Sequence, residues 1–193
     1  MTDQAYCLDA DLAEEKIAGE QLFAGKVLRL ERDEVRLPNG GQAVREVIRH
    51  LGAVCVLPIF ENGDVLVEEQ YRYPHARVLL EVPAGKLDRA DEDPLEAVKR
   101  ELREETGYSA AVLHPLGLYI PSPAILDEKV HLYIATGLVG GATELDEDEF
   151  LRVRRIPLSE LCELVLAGRV PDGKTQCLAL RAAELIRRGL LAY

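Results

Sequence analysis

The chain has 193 residues, of which 48% are hydrophobic and 30% are charged, a balance typical of an ordinary soluble globular protein. This length fits one domain with an extension, or one domain with a small second lobe. The formal net charge of −11 argues against a nucleic-acid-binding protein, because phosphates would meet repulsion over most of the surface. An acidic site can still bind phosphates where divalent cations lie between the two.

Cysteine spacing and hydropathy exclude further classes of protein. The four cysteines are far apart and form no CxxC pair, so the sequence indicates neither a zinc site nor a disulfide framework. No apolar run approaches the roughly 18 residues of a membrane span, and the start of the chain lacks the pattern of a signal peptide. We therefore expect a cytoplasmic protein with no membrane anchor.

The N-terminal part of the chain changes character near residue 20. Residues 1–20 are polar, acidic and weakly patterned, which predicts a mobile or loosely docked arm. Apolar residues then alternate on either side of "PNGG" between positions 26 and 49, which predicts a β-hairpin with a Gly-rich turn. We expect residues 1–50 to form an arm and strands that contribute to a dimer, and residues 51–193 to form the main domain.

The main domain is predicted to mix strands and helices. Three Val- and Leu-rich runs between positions 52 and 85 are typical of strands. A helix is predicted from Pro94 to Gly107, with an apolar stripe at Leu95, Val98 and Leu102. Strands at "KVHLYIATGLV" and "LRVRRIP", an acidic loop between them, and helices at 158–168 and 175–190 complete the chain. Because strands and helices do not alternate regularly, we predict an α+β fold, an α/β/α sandwich with a mixed sheet between helices.

Three glutamates of the predicted helix project from one face. Glu101, Glu104 and Glu105 are spaced i, i+3 and i+4, and like charges at this spacing cost roughly a few tenths of a kcal/mol per pair. Pairing with Arg100 and Arg103 would make this face an ordinary solvated helix surface. The alternative is a site for a hard cation, because Mg²⁺ and Mn²⁺ bind carboxylate oxygens in proteins.

The spacing of nine residues favours the cation site. They are Gly85, Glu92, Arg100, Glu101, Leu102, Glu104, Glu105, Gly107 and Tyr108. Their pattern resembles the Nudix hydrolase signature, G-x5-E-x7-R-E-U-x-E-E-x-G-U, where U is an apolar residue. Six residues rather than five separate Gly85 from Glu92, so the loop before the helix is one residue longer than in the family pattern.

The resemblance implies a Nudix-type fold that cleaves nucleoside diphosphates linked to another group, with Mg²⁺ or Mn²⁺ as cofactor. Glu101, Glu105 and the backbone carbonyl of Ala84 would bind the metal, and Glu104 would be a ligand or lie close to one. Arg100 would orient the glutamates through charge-assisted hydrogen bonds. An ordinary surface arginine is the alternative interpretation of Arg100.

Outside this motif, residues from about 45 to 180 are similar to the ADP-ribose pyrophosphatase branch of the family. Pro123 lies where that branch has a proline, with Ala124 in place of the usual glycine, and Glu128 matches a substrate-contacting residue. In the acidic loop, Glu147 would be the general base and Glu149 a metal ligand. The alternatives are a simple turn at Pro123 and a solvated loop around Glu147.

Further substrate contacts follow from the same resemblance. Arg72 corresponds to an arginine near the substrate, and Arg45 to one that reaches the diphosphate at a subunit boundary. Tyr71 or Tyr73 could stack on adenine, with packing in the core as the alternative. Relatives in this branch are dimers whose N-terminal strands help build the substrate site, and we expect the same homodimer here. The alternative is that the hairpin only extends the sheet within one subunit.

The resemblance therefore predicts hydrolysis of ADP-ribose, or of a related nucleoside diphosphate sugar, to AMP and ribose 5-phosphate. The first alternative is GDP-mannose or another nucleotide sugar, because "DGKTQCLALRAAEL" also resembles the C-terminal region of enzymes that act on GDP-mannose. The second is a sensor that binds ADP-ribose without cleaving it. Such a sensor would be expected to lose Glu101, Glu104 and Glu105, and all three are present in the sequence.

Overall fold

The computed structural model describes residues 10–145 and 149–193, and the chain divides into two compact units. Within the described residues, the first unit contains the chain up to His50 together with Ser122–Glu128. The second unit contains Leu51–Pro121 and Lys129–Tyr193. No helix in these described ranges has both the length and the apolar character that a membrane span requires.

The first unit is built on one antiparallel sheet. After a short 3-10 helix at Ala10–Leu12, the strands are β1 (Glu15–Ala24), β2 (Arg29–Arg36) and β3 (Gln42–Arg49), in the order β1-β2-β3. The β2–β3 hairpin confirms the prediction from the alternating residues around "PNGG". Its turn is closed by Leu37 N–H donating to the Gly41 carbonyl at 2.8 Å, with Gly40 at a φ of 83° that favours glycine.

The prediction of a loosely docked arm over residues 1–20 was wrong from residue 15 onward. Residues Glu15–Ala24 form strand β1, which pairs antiparallel with β2 from Glu15 opposite Arg36 to Ala24 opposite Arg29. Every residue of β1 is exposed, so the strand lacks the alternation between apolar and polar residues that marks a half-buried strand. The strand is joined to β2 by main-chain hydrogen bonds, which require no particular pattern of side chains in the sequence.

A loop distant in sequence completes the first unit. Ile48 N–H donates to the Ile125 carbonyl at 2.7 Å, and Asp127 N–H donates to the Ile48 carbonyl at 3.2 Å. The Asp127 carboxylate accepts from His50 N–H at 2.7 Å and from the Arg49 guanidinium at 3.2 Å. The loop that carries Pro123 and Glu128 is therefore attached to the end of β3.

The second unit contains two sheets and three helices. Their bounds are β4 Ala53–Pro58, β5 Asp64–Arg72, β6 Arg77–Glu81, β7 Ala84–Lys86, α1 Pro94–Thr106, β8 Tyr108–Tyr119, β9 Val130–Gly140, β10 Leu151–Pro157, α2 Leu158–Leu166 and α3 Gly173–Arg187. One sheet has the order β7-β4-β9-β8 and is mixed, because β4 runs parallel to β9. The other has the order β10-β5-β6 and is antiparallel.

Strand β4 shows how the helices cover both faces of the mixed sheet. Val54 and Val56 pack in one cluster with residues of α1, including Val98 and Leu102. The alternate residues of β4 pack in a second cluster with α2 and α3, whose members include Cys55, Leu57, Leu161 and Leu178. Because successive residues of a strand point to opposite faces, this division confirms the α+β sandwich with helices on each side. Leu95, predicted in the apolar stripe of α1, is exposed instead.

Strand β8 was not predicted from the sequence. It pairs antiparallel with β9, from Tyr108 opposite Gly140 to Tyr119 opposite Val130, with an irregularity between Pro115 and Gly117. It is the edge strand of its sheet, where a proline can be tolerated because one side of the strand needs no partner. The proline and the bulge interrupt the alternation by which the strand could have been found.

Candidate functional site

Helix α1 is held in a definite register at both ends. The Asp93 carboxylate accepts a hydrogen bond from Leu95 N–H at 2.9 Å, and Pro94 occupies the first turn. At the other end, Gly107 adopts a φ of 74° and its N–H donates to the Arg103 carbonyl at 2.8 Å. The sequence-predicted start and stop of this helix are therefore confirmed.

Glu101 of α1 lies directly against Gly85 of β7. A Cβ atom added at Gly85 would lie 1.9 Å from Glu101 Cδ and 2.0 Å from Oε1, so no side chain fits there while Glu101 keeps its place. One residue earlier, Ala84 N–H donates to Glu105 Oε2 at 2.9 Å. Strand β7 and two carboxylates of the helix are thus brought together.

Arg100 contacts two of the glutamates. Its Nη1 donates to Glu101 Oε1 at 2.8 Å and to Glu104 Oε2 at 3.2 Å. Its Nη2 donates to the Lys86 carbonyl at 3.3 Å and approaches Glu92 Oε1 at 3.5 Å. Arg100 therefore ties one face of α1 to the chain segment that precedes the helix.

Burial raises the pKa of two carboxyl groups of α1, Glu101 and Glu105. Glu105 is 2% exposed, and burial, followed by repulsion from Glu68, Glu101 and Glu149, raises its pKa to about 10. Burial also raises the pKa of Glu101 to about 7, although the charge of Arg100 opposes the shift. The charged forms of Glu101 and Glu105 are therefore disfavoured unless a positive charge beyond that of Arg100 lies beside them.

The chemistry of these donors fits a hard divalent cation. Over residues 10–145 and 149–193, no three His, Cys, Asp or Glu side chains converge closely enough to hold an ion as they stand. Glu101, Glu105 and Glu149 nevertheless repel one another electrostatically, and their carboxylate oxygens are the atoms that Mg²⁺ and Mn²⁺ bind. A cation between them would offset this repulsion.

A second charged group surrounds Arg72, and sequence reasoning identified only this arginine. Arg72 Nε and Nη2 donate to the two oxygens of buried Glu81 at 2.7 and 3.0 Å. Lys174 also donates to Glu81, and to Asp172 at 2.9 Å. Glu68 of β5 lies opposite Glu81 in the sheet. The signal for Glu68 was present in the sequence, since strand alternation puts it on the same face as the apolar Leu66.

The other predicted substrate residues lie in the first unit or outside the described residues. Arg45 is on β3, where its guanidinium donates to Glu14 with Nε at 2.9 Å from the carboxylate. Glu128 Oε1 lies 3.6 Å from His50 Nδ1, and Pro123 is exposed. Glu147, the predicted base, falls outside the described residues, whereas Glu149 is partly buried.

The two tyrosines near Arg72 are not packed in the core. Tyr71 is 55% exposed and Tyr73 is 86% exposed. Core packing, the alternative to a role in stacking, is therefore wrong for both. Their rings are accessible to a planar ligand.

Comparison with known proteins identifies the family. Residues 49–178 match the NUDIX domain, and residues 14–48 match the nucleoside diphosphate sugar hydrolase N-terminal domain. The chain is 42% identical over 166 residues to an ADP-ribose pyrophosphatase of Bacillus subtilis, covering 85% of this chain and 89% of the relative. It is 43% identical over 167 residues to a methanol dehydrogenase activator of Bacillus methanolicus, covering 85% and 90%. More distant relatives, 32% and 35% identical, are named GDP-mannose pyrophosphatase.

A solved structure described as an ADP compounds hydrolase has the same fold. It superimposes with a TM-score of 0.79 at 22% identity and covers 93% of this chain and 98% of its own. The carboxylate face of α1, the contact between Glu101 and Gly85 and the match over residues 49–178 agree with one another. The chain belongs to the Nudix hydrolase family.

Proposed function

We propose that the protein hydrolyses the diphosphate of ADP-ribose, or of a related nucleoside diphosphate sugar, to AMP and ribose 5-phosphate or the corresponding products. The observation that carries this proposal is the pair of buried carboxyl groups on α1, Glu101 and Glu105, which lie against Gly85 and Ala84 and whose charged forms need a positive charge beside them. The name of the Bacillus subtilis relative supports ADP-ribose as the substrate.

Each residue of the site has a separate task in this proposal. Glu101, Glu105, Glu149 and the Ala84 carbonyl hold Mg²⁺ or Mn²⁺, which when bound neutralises diphosphate charge and makes water a better nucleophile. Arg100 keeps the carboxylate of Glu101 oriented through its hydrogen bond at 2.8 Å.

The remaining residues act on the substrate and on the attacking water. Glu104 accepts a hydrogen bond from Arg100 and either binds the metal or lies close to the residues that bind it. Glu147 takes the proton from the attacking water. Arg72, held by Glu81, offers its guanidinium to the substrate. Arg45, Pro123 and Glu128 are further candidates for substrate binding.

A substrate panel tests the proposal. Hydrolysis of ADP-ribose, GDP-mannose and UDP-glucose is measured with Mg²⁺ and with Mn²⁺, and we expect the highest kcat/KM for ADP-ribose.

Glu105→Gln should lose several kcal/mol of transition-state stabilisation, on the order of 10³-fold in kcat, because it removes a charge that holds the cation. The matched control is Glu96→Gln on the same helix, since Glu96 is exposed and pairs only with Lys99 at 2.7 Å. Absence of turnover with every substrate would overturn the proposal.

GDP-mannose is the second candidate substrate. The more distant relatives named GDP-mannose pyrophosphatase favour it, and base discrimination depends on a few hydrogen bonds in the pocket. A higher kcat/KM for GDP-mannose than for ADP-ribose in the same panel would identify it. A sensor without catalysis would instead show metal-dependent binding of ADP-ribose by calorimetry, with no product formed.

Glu147 can be separated from Glu149 by kinetics. If Glu147 is the base, Glu147→Gln should lower kcat by about 100-fold or more with little change in substrate affinity. Glu149→Gln should instead weaken the affinity for the metal and raise the Mg²⁺ concentration needed for half-maximal activity, because that residue is proposed as a ligand. An unchanged kcat in Glu147→Gln would assign the base to another residue.

We further propose that the active form is a cytoplasmic homodimer. The support is the match of residues 14–48 to an N-terminal domain of nucleoside diphosphate sugar hydrolases, together with a strand β1 whose side chains are all exposed. A small-molecule nucleotide sugar is the only partner that this function requires besides the second subunit.

A further inference from the structure

Two buried glutamates face each other across the β5–β6 pair. Glu68 and Glu81 are directly opposite in the antiparallel register, and each is only 3% exposed. Like charges directly opposite on neighbouring strands destabilise a sheet, and burial increases this cost because little water screens them. Each carboxylate therefore needs its own source of positive charge or a proton.

Glu81 obtains its positive charge from the protein. Arg72 donates to both of its oxygens, at 2.7 and 3.0 Å, and Lys174 donates to the second of them. Lys174 also pairs with Asp172 at 2.9 Å, so both cations are engaged by hydrogen bonds to carboxylates other than Glu68. Burial acts to raise the pKa of Glu81, but Arg72 and Lys174 outweigh it and the pKa lies below its ordinary value.

Glu68 has no equivalent partner. Its Oε1 atom is buried, and among the residues that the structure describes no group forms a hydrogen bond with it. The acidic groups acting on Glu68 are Glu149 and Glu81, and Glu105 is repelled by Glu68 in turn. Arg72 and Lys174 attract it only through space. Glu68 therefore belongs to the same group of buried, mutually repelling carboxyl groups as Glu105 and Glu149.

We propose that Glu68 is a further carboxylate ligand of the divalent-cation site, acting together with Glu105 and Glu149. This inference rests on the proposed function, because it assigns a role at the same metal site. Its support is the combination of near-complete burial, an oxygen without a hydrogen-bond partner and a position on the face of β5 that carries Arg72. A cation bound there would give Glu68 a positive partner, as Arg72 and Lys174 do for Glu81.

Mn²⁺ binding by the full chain tests the assignment without substrate. Free Mn²⁺ is measured by electron paramagnetic resonance during titration of the wild type, of Glu68→Gln and of Glu69→Gln. We expect Glu68→Gln to weaken the affinity by about 10-fold or more, as for other groups that support a metal site. Glu69→Gln is the matched control: it is the next residue of β5, on the opposite face, where Glu69 accepts from Arg152 and Arg154 at 3.1 and 2.8 Å.

A second variant and a second readout keep the test decisive if Glu68→Gln folds poorly. Glu68→Asp keeps the charge and should retain more Mn²⁺ affinity than Glu68→Gln. The rise in Tm on adding Mn²⁺ should also be smaller in Glu68→Gln than in the wild type, because a weaker ligand stabilises the folded state less. Equal affinity and an equal rise in Tm for wild type and Glu68→Gln would overturn the assignment.

The outcomes also separate this inference from the proposed function. If the wild type binds Mn²⁺ and hydrolyses ADP-ribose but Glu68→Gln binds Mn²⁺ equally well, only the role of Glu68 is wrong. If the wild type itself binds no Mn²⁺, both proposals fail.

Discussion

Gly85 and Glu101 occupy a space at the site that has no room for another side-chain atom. An added Cβ would lie 1.9 Å from Glu101 Cδ, much closer than any non-bonded contact. Gly85 is not at a positive φ, so the requirement for glycine here comes from the neighbouring carboxylate and not from the backbone. The Glu101 carboxylate therefore keeps its position because residue 85 is a glycine, which has a hydrogen atom where alanine has a methyl group.

Gly85→Ala tests this contact. The methyl group should displace the Glu101 carboxylate by an ångström or more and lower kcat by about 100-fold, the cost expected for misplacing a group at a reacting centre. Steady-state kinetics with Mg²⁺ and ADP-ribose provides the measurement.

A double-mutant cycle with Glu101→Ala supplies the control for this prediction. If Gly85→Ala acts through Glu101, it should have little further effect once the carboxylate is gone. Additive losses would show that Gly85 matters for another reason.

At the scale of secondary-structure elements, α1 presents the glutamates and is held in place by its ends. The Asp93 side chain satisfies the N–H of Leu95, and Gly107 closes the last turn. Helix α3 contributes differently, because Lys174 in its first turn donates to Glu81 of β6 and Thr175 Oγ1 accepts from Val82 N–H at 2.9 Å. Strand β6 and the segment that leads from it to β7 are therefore anchored by a helix from the end of the chain.

Asp93→Ala should lower the free energy of unfolding by about 1 kcal/mol, because the first turn of α1 loses its side-chain acceptor. Urea denaturation monitored by circular dichroism measures the loss. Asp93→Asn is the control, since an asparagine side chain can still accept from Leu95 N–H. Equal destabilisation by both variants would contradict a role as helix cap.

Glu81→Gln should destabilise the protein at pH 7 by about 2 kcal/mol, because it removes the carboxylate that pairs with Arg72 and one of the two that pair with Lys174. This value is below that of a fully buried pair, since the Arg72 side chain is 37% exposed. Urea denaturation at pH 7 gives the difference, and an unchanged free energy of unfolding would contradict it.

The destabilisation caused by Glu81→Gln should depend on pH. The pKa of Glu81 lies below its ordinary value of 4.5, so its ionised form contributes stability that is fully present above pH 4.5. That contribution is lost as the pH falls through the lower pKa of the folded state. The difference in free energy of unfolding between wild type and Glu81→Gln should therefore shrink as the pH is lowered from 5 toward 3. A difference that stays constant over this range would contradict the argument.

At the scale of the whole molecule, the chain forms two compact units, and the predicted substrate residues are distributed over both. Arg72 and the carboxylates of α1 belong to the second unit, whereas Arg45, Pro123 and Glu128 belong to the first. Strand β1 offers a ten-residue surface with every side chain exposed. The apolar residues on it, Ile17, Leu22 and Phe23, are ones that a second subunit could cover.

The full chain should sediment as a dimer, at twice the 21.4 kDa of one chain. Analytical ultracentrifugation at the protein concentration of the activity assay provides the measurement. Phe23→Asp, which places a charge on the exposed side of β1, should shift the equilibrium toward the monomer. A wild type that sediments at 21.4 kDa would contradict the prediction.

Local signals in the sequence determined α1 and the residues it presents. Pro94 and Gly107 limit the helix through their own backbone preferences, and the spacing of Glu101 and Glu105 then puts both on one face. The β2–β3 hairpin was predictable for the same reason, because a Gly-rich turn and the alternation around it act within a few residues. The α+β class followed from the order of these elements.

The tertiary structure alone decided the features that depend on residues distant in sequence. Strand β1 has no apolar alternation and exists through hydrogen bonds to β2, and the Ser122–Glu128 loop joins the first unit through contacts with the end of β3. The pairing of Lys174 with Glu81 joins α3 to a strand 93 residues earlier in the chain, and Glu68 lies opposite Glu81 on the neighbouring strand. The charge balance of a buried site depends on which lysine or arginine side chain reaches which carboxylate, and only the folded arrangement of the chain determines that.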